Sequence, residues 1–268
     1  MQRKDKVIKV VNNLFSNYEI ALSRTSNLQN LNSLLKKIKV HNLGYNLVRI
    51  GQQNDGGYLV PNILDQVDYC FSPGVGNSTK FEEELINKGV RKCFLADGTL
   101  EFNTTNPKIE FLKKNLSSID SKNQINLETW VNEKLQTNEQ NNLLLQMDIE
   151  GSEYEVINST STKLLNKFKI LIIEFHYLEK LFIDFGFKII APIFNKILDS
   201  FDIAHIHPNN CCGEYKYKNI LIPSVMEFTF LRKDISLFKK PIDNFPHKYD
   251  LVNKKKFKEI ILPEIFYK

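Results

Sequence analysis

Cysteine is scarce in this chain: 4 in 268 residues, alongside a single tryptophan and 3 methionines. Cys70, Cys93, Cys211 and Cys212 are too few and too scattered for a disulfide framework. That excludes the small secreted scaffolds that replace a core with cross-links. The four fit a reducing cytoplasm, with Cys70 and Cys93 as buried apolar packing. Long apolar runs are missing too. The start, MQRKDKVIKVV, has no signal-peptide core, and no later segment approaches a membrane span, so no membrane partner is expected. Charge of one sign is weak, with 36 Lys and Arg against 31 Asp and Glu, net +5. The one basic run, Lys254-Lys255-Lys256, reads as a solvated face. No basic stripe with interleaved aromatics occurs, so nucleic acid is not an expected partner. What is present, 42% hydrophobic and 25% charged residues, is the composition of a globular protein with one large domain or one domain plus an appendage.

Residues 1 to about 40 read as helical, because Val7, Val10, Val11, Leu14 and Phe15, then Leu28, Leu31, Leu34, Leu35 and Ile38, recur at helical spacing. From Leu47 on, short β-type runs alternate with helices. Strands are expected at Tyr69–Ser72, Arg91–Ala96, near Gln124–Leu127, at Leu143–Asp148, Lys169–Phe175, Ile203–His207 and Val225–Leu231. Helices are expected at Lys80–Lys88, closed by Gly89, from Ser152 and over Pro192–Phe201. Near-continuous apolar strands separated by helices indicate a parallel sheet covered on both faces. The segment Pro208–Pro223 has no helical pattern for a crossover, so the last two strands should be antiparallel. The expected division is an N-terminal helical extension over 1–45, the main domain over 46–232, and a tail over 233–268 packed on that domain.

Ligands in open α/β sheets bind beyond the carboxyl ends of the strands, where strand order reverses. The first parallel strand runs into FSPGVGNSTKFEEEL. Gly74 and Gly76 allow a tight turn and close approach of backbone to a ligand, with Asn77 beside them. Asp97 ends the next strand, where a carboxylate can bind both ribose hydroxyls. Thr79 stands where a dinucleotide fingerprint wants a third glycine, and Glu82, Glu83 and Glu84 would repel a diphosphate. A cofactor with a ribose, an adenine and a cationic sulfonium suits this loop better, which points to S-adenosylmethionine.

The stretch LLLQMDIEGSE (Leu143–Glu153), with Arg49-Ile50-Gly51, Asn54-Asp55-Gly56-Gly57-Tyr58 and Ile173-Glu174-Phe175-His176, resembles the FkbM-type family of S-adenosylmethionine-dependent methyltransferases. The family signature is a strand running into a lysine-containing D-x-E-G-[AS]-E; here Gln146 stands at the usual lysine. The likeness runs from about Arg49 to Arg232. It implies a class I, Rossmann-like three-layer α/β sandwich with a mostly parallel seven-stranded sheet and an antiparallel last strand. It also implies acceptors in glycan, polysaccharide or natural-product chemistry, and a role for Asp55 at the cofactor or acceptor.

Methyl transfer to a hydroxyl needs alignment and a base or metal. Asp148 with Glu150, Glu174 with His176, and His205 with His207 are pairs two residues apart at strand ends, so each pair faces one way. Asp148, Glu174 and His176 are the expected catalytic groups. Asp55, Gly74, Gly76, Asn77, Asp97 and Asp148 are expected at the cofactor, and Glu150, His205, His207, Asn209 and Asn210 at the acceptor. Ser152 and Glu155 read as a capping box. A divalent metal on Asp148, Glu174 and a histidine is the less favoured addition, and a homodimer is left open. The expected protein is a cytoplasmic O-methyltransferase acting on a small-molecule acceptor such as a sugar, sugar nucleotide or glycan. An NAD-dependent oxidoreductase and a nucleic-acid methyltransferase are the rivals, the second disfavoured because Asp148-Ile149-Glu150-Gly151 replaces an Asx-Pro-Pro-aromatic turn.

Overall fold

Leu143–Met147 has no exposed residue, and its side chains alternate between two apolar layers. Leu143, Leu145 and Met147 join one core, while Leu144 joins the other. That is the period-2 signature of a strand covered on both faces. In the computed structural model, which describes residues 2–15, 21–76, 78–135, 142–242 and 244–268, this strand is central to a seven-stranded sheet.

The strands of that sheet, in chain order, are β1 (Tyr69–Pro73), β2 (Lys92–Ala96), β3 (Ile109–Leu112), β4 (Leu143–Met147), β5 (Phe168–Phe175), β6 (Phe201–Tyr217) and β7 (Ile220–Arg232). Their spatial order is β6-β7-β5-β4-β1-β2-β3. The pairs β1–β2, β2–β3, β1–β4 and β4–β5 are parallel, and β7 is antiparallel to both β5 and β6. The sheet is therefore mostly parallel with one reversed strand, and the expected antiparallel final pair is present. Strand order reverses between β1 and β4, so their carboxyl ends bound the switch point.

The helices are α1 (Gln2–Phe15), α2 (Leu28–Leu35), α3 (Lys80–Asn87), α4 (Leu127–Lys134), α5 (Glu153–Ser159), α6 (Thr162–Leu165) and α7 (Asp184–Ser200). Leu31, Leu34 and Leu35 of α2 are buried in the larger core, whereas Val7, Val10 and Leu14 of α1 remain exposed. Among the described residues no helix is long and apolar enough to cross a membrane.

Three expectations need correction. The third strand of the sheet is Ile109–Leu112, and Gln124–Asn126 instead pairs with Asn115–Ser117 in a separate two-stranded sheet. An edge strand half open to water carries a mixed sequence: Glu110 in β3 pairs with Lys92 and Lys134, so no apolar run marks it. Helix α7 begins eight residues before Pro192; burial of Ile190, Ala191, Ile193, Phe194 and Ile197 outweighs the hydrogen bond that an interior proline removes. Cys70 and Cys93 are buried and free as expected, but Cys211 and Cys212 are joined by a disulfide. Adjacent cysteines need no framework to meet.

Candidate functional site

Alternation along β4 and β5 sends Gln146, Asp148, Glu174 and His176 to the face that carries Leu144, Ile170 and Ile172. The register of β7 brings Glu227 opposite Glu174, and that of β6 brings His207 opposite Glu227 and His205 opposite Thr229. One face of the sheet, at its carboxyl end, thus holds a buried row of ionisable groups. A hairpin, Leu47–Gly51 paired with Gly57–Pro61, covers part of it. Thr229 Oγ1 donates to the Leu59 carbonyl at 2.7 Å, tying hairpin to sheet.

At the switch point the chain passes very close to itself. Gly74 has φ +81°, and a Cβ there would stand 1.5 Å from the carbonyl oxygen of Asp148. Any side chain at 74 would push β1 and β4 apart. Gly76, in contrast, faces open space. Beside these glycines lies a cleft of about 420 Å³ lined by Asp55, Tyr58, Gly74, Gly76, Gln146, Asp148 and Lys254, among others. Its volume is in the range of small-molecule sites. Asn77 lies outside the described residues. Asp97 is not in the cleft wall: its Oδ1 accepts from Thr99 N, Thr99 Oγ1 and Leu100 N, shaping the turn after β2.

The acidic turn after β4 has a division of labour that the sequence does not give. Glu150 (φ +57°) and Gly151 (φ +110°) both adopt left-handed backbone, and a Cβ on Gly151 would meet the Tyr177 ring at 2.7 Å. Glu153 is fully buried. Its Oε1 accepts from Ile149 N and Gly151 N, each at 3.1 Å, and lies 3.1 Å from His176 Nδ1. The expected Ser152–Glu155 capping box is absent: Ser152 makes no side-chain cap bond, and Glu155 accepts from Ser117 Oγ at 3.1 Å. A carboxylate one residue into the helix, already inside the core, serves the loop amides better than one that would have to reach back from the exposed face.

His176 stands among acids. Its Nε2 is 3.4 Å from Glu150 Oε2, 3.6 Å from Glu174 Oε1 and 3.9 Å from Asp148 Oδ1. Burial lowers the imidazole pKa, but the Glu153 hydrogen bond and the charges of Glu153, Asp148 and Glu150 outweigh it, and the net shift is upward. Burial pushes Asp148 up to about 7; His176 opposes that shift, while Glu150, Glu153 and Asp55 add to it. Burial is also the main reason that Glu174 lies well above the ordinary carboxylate range, with Asp148, Glu227 and Asp55 adding to it. Glu174 Oε1 accepts from Asn209 Nδ2 at 3.2 Å.

Gln146, at the usual lysine position, accepts from Ser72 Oγ at 2.6 Å and donates to the Tyr58 hydroxyl at 3.2 Å. Ser72 Oγ is also 2.6 Å from Glu82 Oε1, and burial raises the Glu82 pKa. A neutral amide can bridge these groups where a lysine would carry a charge.

Three of the expected acceptor residues face the tail. His205 Nε2 lies 2.8 Å from Asp250 Oδ1, and His207 Nε2 lies 2.9 Å from Asn253 Oδ1. Asn210 accepts from Lys254 N and donates to the carbonyls of Lys254, Phe257 and Lys258. These three side chains hold residues 250–258 against the sheet. Asn209 alone of the four strand residues turns to the acidic row.

The sequence reading missed Glu227, Asp250, Asn253 and Lys254. Glu227 had a signal, an acid inside the apolar run VMEFTFL. The other three had none, because their contacts are set by the fold: Asn253 Nδ2 to Asp55 Oδ1 at 3.3 Å and Lys254 Nζ to Asp55 span 198 and 199 residues, and Asp250 to His205 spans 45. Lys254 therefore departs from the solvated-face reading, which Lys255 and Lys256 keep. Asp55 sits at the hairpin tip because Arg49 donates to the carbonyls of Gln52 and Asn54, at 3.0 and 2.8 Å, and closes the turn.

Comparison with known proteins gives no match among curated sequences. Among solved structures, similar ones include a Streptococcus pneumoniae protein assigned as a tRNA (m1A22) methyltransferase and solved with S-adenosyl-L-methionine. It has 11% identity, coverage of 66% of this chain and 71% of that one, and a TM-score of 0.35. A Listeria monocytogenes protein assigned as an S-adenosylmethionine-dependent methyltransferase has 11% identity, 65% and 93% coverage, and a TM-score of 0.39. An rRNA methylase from Streptococcus thermophilus has 8% identity, 75% and 93% coverage, and a TM-score of 0.33. Overlaps at this level carry no weight for the substrate. The decisive match is to the methyltransferase FkbM domain over residues 52–207, more than half of the chain. It spans the glycine loop, the acidic turn and the Glu174–His176 strand end, and the chain belongs to the FkbM family of S-adenosylmethionine-dependent methyltransferases.

Proposed function

We propose that the protein methylates a hydroxyl of a small, polar acceptor, with a sugar, sugar nucleotide or glycan as the first choice. The observation that carries this reading is the junction of the glycine loop, where Gly74 touches the Asp148 carbonyl, with the acid–imidazole group of Asp148, Glu174 and His176. S-Adenosylmethionine supplies a methyl group on a cationic sulfur, and leaves as the neutral thioether when the acceptor oxygen takes that carbon. Gly74 holds the loop against the Asp148 carbonyl, Gly76 leaves room for the methionine and ribose side, and the acids of the cleft match the cationic sulfur. Asp97 contributes through its second carboxylate oxygen to the ribose. Asp148, Glu174 and His176 orient the hydroxyl, and the Asp148–His176 pair takes its proton. Asn209, bonded to Glu174, and Glu150, beside His176 Nε2, border the acceptor side.

An acid-rich wall repels phosphate, so this site favours a hydroxyl-rich acceptor over RNA or DNA, and a sugar or glycan over a sugar nucleotide unless the diphosphate lies outside the wall. The methyltransferase unit is assigned to residues 46–232, with part of the 233–268 tail closing its acceptor face through Asn253 and Lys254.

Titration calorimetry with S-adenosylmethionine and its demethylated product tests the reading; absence of heat and of thermal protection with both would sink it. Transfer of labelled methyl to RNA, but to no sugar or sugar nucleotide, would overturn the acceptor class. His176→Ala should keep cofactor affinity and lower turnover by about a hundredfold or more.

A further inference from the structure

The acidic row is not uniformly short of partners. Asp55 is bonded to Lys254 and Asn253, and Glu227 Oε1 accepts from Asn253 Nδ2 at 2.6 Å. Asp148 Oδ1 and Glu174 Oε2, in contrast, are buried and have no hydrogen-bond partner among the described residues. Glu174 as a whole is only 4% exposed. Protonation would remove the charge but not the deficit, because a carboxyl O–H also needs an acceptor.

His176 adds a third observation. Donation of its Nδ1 hydrogen to Glu153 leaves the Nε2 lone pair directed at Asp148, Glu174 and Glu150, an arrangement that is repulsive unless a proton or a cation lies between. A carboxylate behind a histidine, fixing its tautomer and ring plane, is the usual support of a metal-ligating imidazole. The nearby cations are committed elsewhere: Lys254 to Asp55, and Arg49 to the carbonyls of Gln52 and Asn54. One donor atom from each of Asp148, Glu174 and His176 lies within 4.8 Å of the other two.

We infer that Asp148, Glu174 and His176 bind one divalent cation of borderline hardness, with Mn²⁺ the best match, and that this ion holds the acceptor hydroxyl. Two carboxylates suit hard cations, and an imidazole extends the range toward the later divalent metals. Around an ion at about 2.1 Å, adjacent donors stand about 3 Å apart. The Nε2 to Glu174 Oε1 separation of 3.6 Å and the Nε2 to Asp148 Oδ1 separation of 3.9 Å are each within 1 Å of that. The ion supplies the partner that Asp148 Oδ1 lacks, and Glu174 reaches it through Oε1. It lowers the pKa of a coordinated hydroxyl, and with the ion held by Asp148 and His176 the exposed Glu150 carboxylate beside His176 takes the proton in place of that pair.

The catalytic part of this inference rests on the methyltransferase reading; the binding part does not. Mn²⁺ is added to the full, metal-free chain and followed by electron paramagnetic resonance and calorimetry. One Mn²⁺ per chain is expected, with a nitrogen coupling in the spectrum that disappears in His176→Gln. Glu174→Gln and Asp148→Asn, checked as folded by thermal melting, should each weaken binding by about tenfold or more, while Asp250→Asn leaves it unchanged. No bound Mn²⁺ at millimolar concentration overturns the inference. So does loss of binding in Asp250→Asn with none in Glu174→Gln, which would move the ion to His205, His207 and Asp250. S-Adenosylmethionine binding to the metal-free chain, measured in parallel, separates the two failures: cofactor without ion removes the inference alone, and ion without cofactor removes the methyltransferase reading alone.

Discussion

The buried polar face of the sheet has two halves that treat charge differently. On the β6 side, His205 is bonded to Asp250, His207 to Asn253 and Asn210 to the backbone of residues 254–258, and no buried side-chain atom of these five described residues lacks a partner. On the β4–β5 side, Asp148, Glu174 and Glu153 each keep one buried oxygen without a partner. The first half behaves as a structural anchor, because a polar network with every member paired rigidifies what it joins. The second half keeps an electrostatic deficit that a bound cation, cofactor or acceptor can meet. Equal burial and similar residue types thus support opposite roles, and the difference lies in satisfaction.

That contrast can be broken most severely at Asp250. Asp250→Ala would strand His205 and His207 without their carboxylate and should cost about 3–5 kcal/mol, seen as a large fall in melting temperature. A loss under about 1 kcal/mol would mean that the tail is not anchored there. At Glu174 the sign should reverse. Glu174→Gln relieves a carboxylate that burial and like charges disfavour, so stability should hold or rise by up to about 1 kcal/mol while turnover collapses. A destabilised variant would place Glu174 with the anchor.

A smaller effect is linked to pH. The His207 pKa is raised: burial lowers it, but Asp250 and Glu227 outweigh that. Its stabilisation is therefore complete below its unfolded value of about 6.5 and is lost as pH rises through the raised folded value. The pKa of Asp250 is depressed because His205 and His207 outweigh its burial, and its share persists until pH falls through that low value. The melting-temperature gap between the wild type and His207→Gln should be wider near about pH 6 than near about pH 9. A constant gap would remove the charge of His207 from the anchor. Smallest of all, Glu155→Ala should change stability by about 0.5 kcal/mol or less, since its one bond is to Ser117 at an exposed position. A loss above about 1 kcal/mol would restore the capping role that the structure denies it.

Much of the sheet was legible in the sequence. Buried strands such as KILIIEF declare themselves, because a strand covered on both faces has to be apolar throughout. The edge strand Ile109–Leu112 does not, because half of it meets water. At the candidate site, Gly74, Asp148, Glu174 and His176 stand out in the sequence because acids and glycines at the ends of apolar strands break a local pattern, and the structure brings them together at one sheet edge. Glu153 was left open, since a buried cap and an exposed helix-dipole acid look alike in one dimension. His205, His207 and Asn210 carry a polar signal in the sequence, but their tail partners, Asp250, Asn253 and the backbone of residues 254–258, are visible only in the structure.

The amino-acid sequence by itself determined the alternation of strand and helix, the glycine turn after the first parallel strand and the set of ionisable residues at strand ends. All three follow from short-range rules of periodicity and turn geometry. Only the tertiary structure decided which ionisable groups are paired and which are left wanting. Pairing depends on where β7 inserts and on where residues 250–258 return, contacts that span 26 to 199 residues and so lie beyond the reach of any local stretch.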